Sequence, residues 1–419
     1  MNQQVKIDSI SSITINGERL WQSLMDLAQI GATAKGGVKR LALTELDKQA
    51  RDLFVQWCTE AGCSITVDQV GNIFARRPGN NPELPPIMTG SHIDTQPTGG
   101  KFDGCFGVMA GLEVIRTLND YNIQTDAPVE VVVWTNEEGS RYAPCMMGSG
   151  VYMGKFTLED TLAKVDIEGL SVGDELKKIG YAGTAAVGQP QVGAYFEAHI
   201  EQGPILEAEE KTIGVVIGAL GQKWFDLTIT GVEAHAGPTP MNLRKDALLG
   251  AAEVTQAVNR IANQFAPHGR GTVGCLRVHP GSRNVIPGAV EMTIDFRHLD
   301  DADLNAMVSA LKGVLSKLEG DGLTVELTPT ADFPVCNFNK DCIEAVRIGA
   351  EAIKMPYMEI VSGAGHDAIF LAEVAPAGMI FVPCENGISH NEIENAKMED
   401  LAAGGTVLFH AMLDRAKVV

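Results

Sequence analysis

The sequence predicts an α/β protein with a mixed, mostly parallel sheet, flanking helices and an inserted ferredoxin-like βαββαβ unit. Three observations predict it. Val129-Glu130-Val131-Val132-Val133-Trp134-Thr135 is a near-continuous apolar run, the mark of a central strand of a parallel sheet buried on both faces. Similar runs at 86–90, Ala194–Ile200 and Ala377–Val382 alternate with helical stretches, as parallel sheets require. The character then changes near Gly218, where apolar and polar residues begin to alternate with a period of two. At 419 residues the chain also exceeds one ordinary domain.

Taken in order, residues 18–60 read as mostly helical with a break at Gly36-Gly37, since Leu20, Leu24, Leu27 and Ile30 fall near helical spacing. A hairpin follows at 65–67 and 72–75. The strand at 86–90 leads through a glycine-rich loop into a helix at 107–118. After the Trp134 strand come strands at 194–200 and 215–217. In the inserted unit, Phe225, Leu227 and Ile229 alternate with Asp226, Thr228 and Thr230. Leu243, Ala247, Ala251, Val254, Val258 and Ile261 step by three or four, which is one face of a helix. Val290, Met292, Ile294 and Phe296 alternate again, 304–318 is a second helix, and 324–327 closes the βαββαβ order. The expected boundaries are therefore 1–218 and 331–419 for the catalytic domain and 219–330 for a lid and dimerisation domain. Beyond it, helices at 345–354 and 398–416 flank the strand at 377–382.

The formal charge of −20 argues against nucleic acid or anionic membrane as a partner. No apolar run reaches the roughly 18 residues needed to span a bilayer. The first residues are polar and lack a secretory pattern. Eight scattered cysteines without a C-x-x-C pair fit a reduced, cytoplasmic protein. Cys105 lies near acidic groups that would raise its pKa, so no nucleophile is expected there.

The chemistry concentrates where strands end. Asn136-Glu137-Glu138-Gly139 follows the Trp134 strand directly, and ligands of open α/β sheets bind beyond the carboxyl ends of strands. Two adjacent carboxylates there are costly to desolvate without positive charge beside them. Ser91-His92-Ile93-Asp94 ends another strand. Residues two apart in extended chain face one way, so the Asp94 carboxylate is expected to orient the His92 ring. Asp103 sits in Gly99-Gly100-Lys101-Phe102-Asp103-Gly104, where it either caps the next helix or bridges two cations. His199 closes the Ala194 strand, and His390 follows the Ala377 strand in Gly387-Ile388-Ser389-His390. Together His92, Asp103, Glu138, His199 and His390 offer five nitrogen and oxygen ligands without cysteine, a set suited to two divalent cations with open positions. Such a pair activates a bridging water. Glu137 remains beside that water as the base.

These motifs resemble the amidase/hydantoinase/carbamoylase branch of the aminoacylase- and carboxypeptidase-like metallohydrolases, from about residue 20 to the C-terminus. The resemblance implies that His92, His199 and a bridging Asp103 hold one ion, while Asp103, Glu138 and His390 hold the other. The metal is zinc, manganese, cobalt or nickel, since imidazole and carboxylate accept all four. By the same resemblance His235 and Asn284 hydrogen-bond the group being cleaved and Arg297 grips the substrate carboxylate, a task suited to its planar fork. As isolated residues these would read as a loop histidine, a turn cap and a cross-strand ion pair. Gln202, Gly365 and His366 are further substrate-side candidates. The resembled proteins dimerise through the inserted domain, so His235 and Asn284 are expected to come from either chain.

The implied reaction is hydrolysis of a small N-carbamoyl-L-amino acid. Glu137 takes the water's proton and returns it to the leaving nitrogen, and His235 steadies the oxyanion. Residues 141–150 resemble the L-carbamoylases more than the allantoate amidohydrolases. His390-Asn391-Glu392 departs from the Ser-Pro expected after that histidine, which keeps β-ureidopropionase, allantoate amidohydrolase and a small-dipeptide peptidase as alternatives.

Overall fold

The computed structural model describes residues 11–189 and 191–419, which fall into two compact units, Met1–Ile217 with Asn337–Val419, and Gly218–Cys336. The larger is built on strands β1 (Ser64–Val67), β2 (Ile73–Arg77), β3 (Ile87–His92), β4 (Val129–Trp134), β5 (Ala194–Ile200) and β6 (Ile213–Ala219). The smaller contributes β7 (Gly221–Thr230), β8 (Ala234–His235), β9 (Arg270–His279), β10 (Val285–Ile286), β11 (Ala289–His298) and β12 (Thr324–Phe333). The chain then adds β13 (Cys336–Asn337), β14 (Tyr357–Ser362) and β15 (Ala377–Val382).

The large sheet runs β1-β2-β4-β3-β5-β15-β6-β13, with β14 paired to β6. Its centre, β4-β3-β5-β15, is parallel. The β4 run, read as flanked by parallel strands, has β3 parallel on one side and β2 antiparallel on the other. All six of its residues are buried, because helices cover both faces. The helices Cys105–Asp120 and Met398–Ala416 pack here with almost every apolar side chain inside. Full burial favours Val and Ile on both faces, which is why these strands read as runs and do not alternate. The N-terminal stretch forms two helices, Gly17–Gln29 and Glu45–Glu60, capped by Asn16 and Thr44.

In the smaller unit the order is β12-β7-β11-β9, antiparallel throughout. One face of that sheet is covered by the helices Ala247–Gln264 and Asp301–Gly320. Half-burial produces the period of two: Phe225, Leu227, Ile229, Val290, Met292, Ile294 and Phe296 are inside, and their neighbours face out. The helices Met147–Tyr152, Leu158–Leu162 and Val172–Ile179 and strand β14 were not anticipated. These are short elements of five to eight residues, too brief for a period to register. Among the described residues no helix is long and apolar enough to cross a membrane.

Candidate metal centre

Five side chains from five segments meet beyond the carboxyl ends of the parallel strands. His92 is the last residue of β3 and His199 lies one short of the end of β5. Asp103 stands in the turn before the Cys105–Asp120 helix, Glu138 follows β4, and His390 lies in the loop after β15. Asp103 is the hub. Its Oδ1 is 3.3 Å from His199 Nε2 and 3.6 Å from His92 Nε2. Its Oδ2 is 3.4 Å from His390 Nε2, which is in turn 3.4 Å from Glu138 Oε2. Besides a Glu197–His199–His366 group, two groups of possible ligands meet at Asp103, His92–Asp103–His199 and Asp103–Glu138–His390, each with its donor atoms within 4.8 Å of one another. They share one carboxylate. His199 thus lies on the His92 side of Asp103 and His390 on the Glu138 side.

Local chemistry explains each placement. Gly104 has φ +65, and a β-carbon there would collide with the His92 imidazole. Glycine is required on both counts. The helix that follows begins without any side-chain cap, so Asp103 does not cap it. After β4 the chain turns at Asn136, whose φ of +53 lies in the left-handed region that asparagine tolerates better than most residues. Its Nδ2 donates to the Tyr142 carbonyl at 2.8 Å. That turn aims Glu137 and Glu138 at the histidines, with Glu137 Oε2 3.4 Å from His92 Nε2.

The expected role of Asp94 needs correction. His92 Nδ1 meets the main-chain carbonyl of Asp94 at 2.8 Å, while the Asp94 carboxylate stays 3.8 Å away. The carboxylate instead accepts the main-chain N–H groups of Glu137 and Glu138, both at 3.3 Å. β3 ends at His92, so residues 92 and 94 do not share an extended strand. Asp94 therefore positions the acidic pair, and a carbonyl orients the histidine, as the Ile200 carbonyl does for His199 Nδ1 at 2.8 Å.

The electrostatics are extreme. Burial alone would raise the Asp103 carboxyl, but the imidazoles of His199, His390 and His92 hold it well below the usual carboxylate range. Burial, strengthened by Asp367 and Glu138 against the opposing effect of His92, pushes Glu137 well up. Burial and Asp103 push Glu138 up to about 7. The Asp103 hydrogen bond lifts His390 to about 9. Buried carboxylates and imidazoles with their donor atoms this close together form a nitrogen–oxygen set suited to divalent cations. The residues present fit such ions.

Other candidates divide by unit. Gln202, at φ +57, donates through Nε2 to Asp103 Oδ2 at 2.8 Å. His366 is buried beside His199, with ring centroids 4.6 Å apart, and its Nε2 meets Ser362 Oγ at 2.9 Å. Burial and the neighbouring His199 hold His366 well below the usual histidine range. Gly365 lies against Met146. Within the smaller unit, β8 pairs with β10, and the Ala236 N–H donates to the Asn284 carbonyl at 2.9 Å, which brings His235 and Asn284 side by side. Arg297 pairs with Asp295 of its own strand at 2.8 Å, a same-strand partner where a cross-strand one was the alternative. Cys105 is buried, which raises its thiol, and lies 3.1 Å from Arg40.

Sequence reasoning missed Glu394 and Ser389. Ser389 Oγ lies 2.8 Å from Asp103 Oδ2 and 2.9 Å from Glu394 Oε2. An acid four residues past His390 was the available signal.

A two-unit α/β fold with paired ligand groups on a shared aspartate defines a metallohydrolase architecture. The family model for Peptidase family M20/M25/M40 matches residues 88–414. An N-carbamoyl-L-amino-acid amidohydrolase from Rhizobium meliloti is 48% identical over 406 residues, covering 97% of this chain and 98% of that protein. The crystal structure of an amidase of the hydantoinase/carbamoylase family from Burkholderia multivorans is 57% identical, with TM-score 0.94 over 97% of this chain and 99% of that one. A ureidoglycolate hydrolase from Oryza sativa is 34% identical over 96% of this chain and 85% of its own length. This chain belongs to the M20/M25/M40 family, a family of metal-dependent hydrolases, and within it to the hydantoinase/carbamoylase amidases.

Proposed function

We propose that this protein is a metal-dependent amidohydrolase that cleaves N-carbamoyl-L-amino acids to the L-amino acid, carbon dioxide and ammonia. One observation carries the reading: a shared Asp103 links two ligand groups, with Glu137 beside them, in a chain 48% identical nearly end to end to an N-carbamoyl-L-amino-acid amidohydrolase. His92, His199 and Asp103 would hold one divalent ion, and Asp103, Glu138 and His390 the other, with zinc, manganese, cobalt or nickel all compatible. Bound there, such ions would supply a water of lowered pKa and polarisation of the ureido carbonyl.

Glu137 acts on the proton. Its Oε2 lies 3.4 Å from His92 Nε2, beside the first ligand group, and burial raises its proton affinity, which suits a general base. It takes the water proton as oxygen attacks the carbamoyl carbon, then gives it to the amino nitrogen as the C–N bond breaks. The carbamic acid released loses carbon dioxide to leave ammonia. Arg297 would bind the substrate carboxylate, and His235 and Asn284 the carbamoyl group, with Gln202, Gly365 and His366 completing the substrate side. In the smaller unit β9 is an edge strand with Leu276 41% exposed. That edge supports association of two copies through this unit, with His235 and Asn284 offered in cis or across the pair. Cys58, Cys63, Cys105, Cys145, Cys275, Cys342 and Cys384 are free thiols, which supports a cytoplasmic location.

The test is turnover by the metal-reconstituted protein, followed as ammonia release from N-carbamoyl-L-amino acids, N-carbamoyl-β-alanine, allantoate and ureidoglycolate and as free amino acid released from a dipeptide. N-carbamoyl-L-amino acids should be preferred, and preference for the dipeptide would refute the reading. Glu137→Gln should lower turnover by about 10²–10⁴-fold, the usual worth of a general base, with metal content unchanged. Wild-type turnover in that variant would remove Glu137 from the role.

A further inference from the structure

Glu394 lies outside every role assigned so far, yet its carboxylate is 1% exposed and fully engaged. Its Oε1 accepts the main-chain N–H of Phe102 at 2.9 Å and of Asp103 at 3.2 Å. Its Oε2 lies 2.9 Å from Ser389 Oγ, the hydroxyl that also meets Asp103 Oδ2 at 2.8 Å. The room for this carboxylate is made by Gly100, where a β-carbon would collide with it. Two glycines of the Asp103 turn thus have separate tasks, Gly100 admitting Glu394 and Gly104 admitting His92.

The loop that Glu394 holds is not self-supporting. His390 has φ +55 and Asn386 φ +56, left-handed positions that cost non-glycine residues energy and persist only when surroundings impose them. His92 and His199, by contrast, sit in the final residues of β3 and β5, where the sheet itself fixes them. We propose that Glu394 is a positioning residue that ties the turn carrying Asp103 to the loop carrying His390. The tie sets the 3.4 Å approach of His390 Nε2 to Asp103 Oδ2. It serves the Asp103–Glu138–His390 group more than the His92–Asp103–His199 group. This rests on the two-ion reading above.

The experiment is calorimetric titration of the metal-free, full-length protein with Mn²⁺, for wild type and for Glu394→Ala, Glu394→Gln and Ser389→Ala. His390→Ala and His199→Ala identify which binding event belongs to which group. Glu394→Ala should weaken the ion lost in His390→Ala by about 10–100-fold, the usual cost of removing a partner of a metal ligand, and leave the other near its wild-type affinity. Ser389→Ala should weaken that same ion. Glu394→Gln should hold both ions, because its carbonyl oxygen accepts the two main-chain N–H groups and its amide donates to Ser389. A merely structural acid would not sort the ions in this way. Equal loss of both ions, unchanged binding of both, or a Glu394→Gln as impaired as Glu394→Ala would each overturn the proposal. If Glu394→Ala does not fold, Ser389→Ala and Glu394→Gln decide alone, and wild-type binding in Ser389→Ala overturns it. A wild type that takes up a single ion overturns the two-ion reading and the proposal together, whereas two ions in wild type with Glu394→Ala unaffected overturns only the proposal.

Discussion

Gly104 has two reasons to be glycine, a φ of +65 and the His92 ring against the position of its missing side chain. Gly104→Ala would place a methyl group against a buried imidazole and add left-handed strain of roughly 1–3 kcal/mol. The variant should lose affinity at the His92 group, measured by metal content after dialysis, and retention of full metal content would contradict this geometry. Cys145 offers a residue-scale test of electrostatics. Burial and the nearby Glu137 push its thiol up to about 12, and only the thiolate alkylates. Its carboxymethylation should be slow at pH 8 and climb roughly tenfold per pH unit until about pH 11, as mass spectrometry would follow; a plateau near pH 9 would contradict that environment. Single residues were legible where chemistry constrained type and neighbours together. His92, Glu138, His199 and His390 were singled out because they stand at or after strand ends, and Asp103 because it sits in a glycine-flanked turn before a helix. Asp94 was misassigned, because β3 ends at His92 and the i, i+2 rule holds only within a strand.

At the scale of elements, period decided legibility. The β4 run, β15 at Ala377–Val382 and the helix Met398–Ala416 could be placed because burial on one or both faces leaves a pattern in long segments. The short helices between 147 and 179 left none. In the smaller unit the alternating strands make a specific prediction. Ile294 of β11 is 1% exposed in the core beneath the two helices. Ile294→Ala should cost about 2–5 kcal/mol, the range for emptying such a site. Hydrogen exchange should quicken across Gly218–Cys336, and protection in β3, β4 and β5 should stay unchanged. Loss of protection in those three strands as well would mean that the units do not unfold separately.

For the whole molecule, the edge strand β9 carries the prediction. Sedimentation should give twice the 44.7 kDa chain mass, and Leu276→Lys, which places a charge on that edge, should shift the population toward single chains. A wild type that sediments as one chain at micromolar concentration would rule out the paired state. Activity should fall with dissociation if His235 or Asn284 acts across the pair, and stay constant per chain if both act in cis.

The sequence by itself determined the fold class, the position of the main strands and the residue types of the site. Those follow from local rules: apolar period, glycine at tight turns, and carboxylates too costly to bury without a counter-charge. Only the tertiary structure decided which oxygen of Asp103 faces which histidines, that a carbonyl orients His92, and that Glu394 reaches the Asp103 turn. Each of these is a contact between segments far apart in the chain, or depends on where a strand ends. Nothing in local spacing encodes either; they appear only when the sheet brings its strand ends to one place.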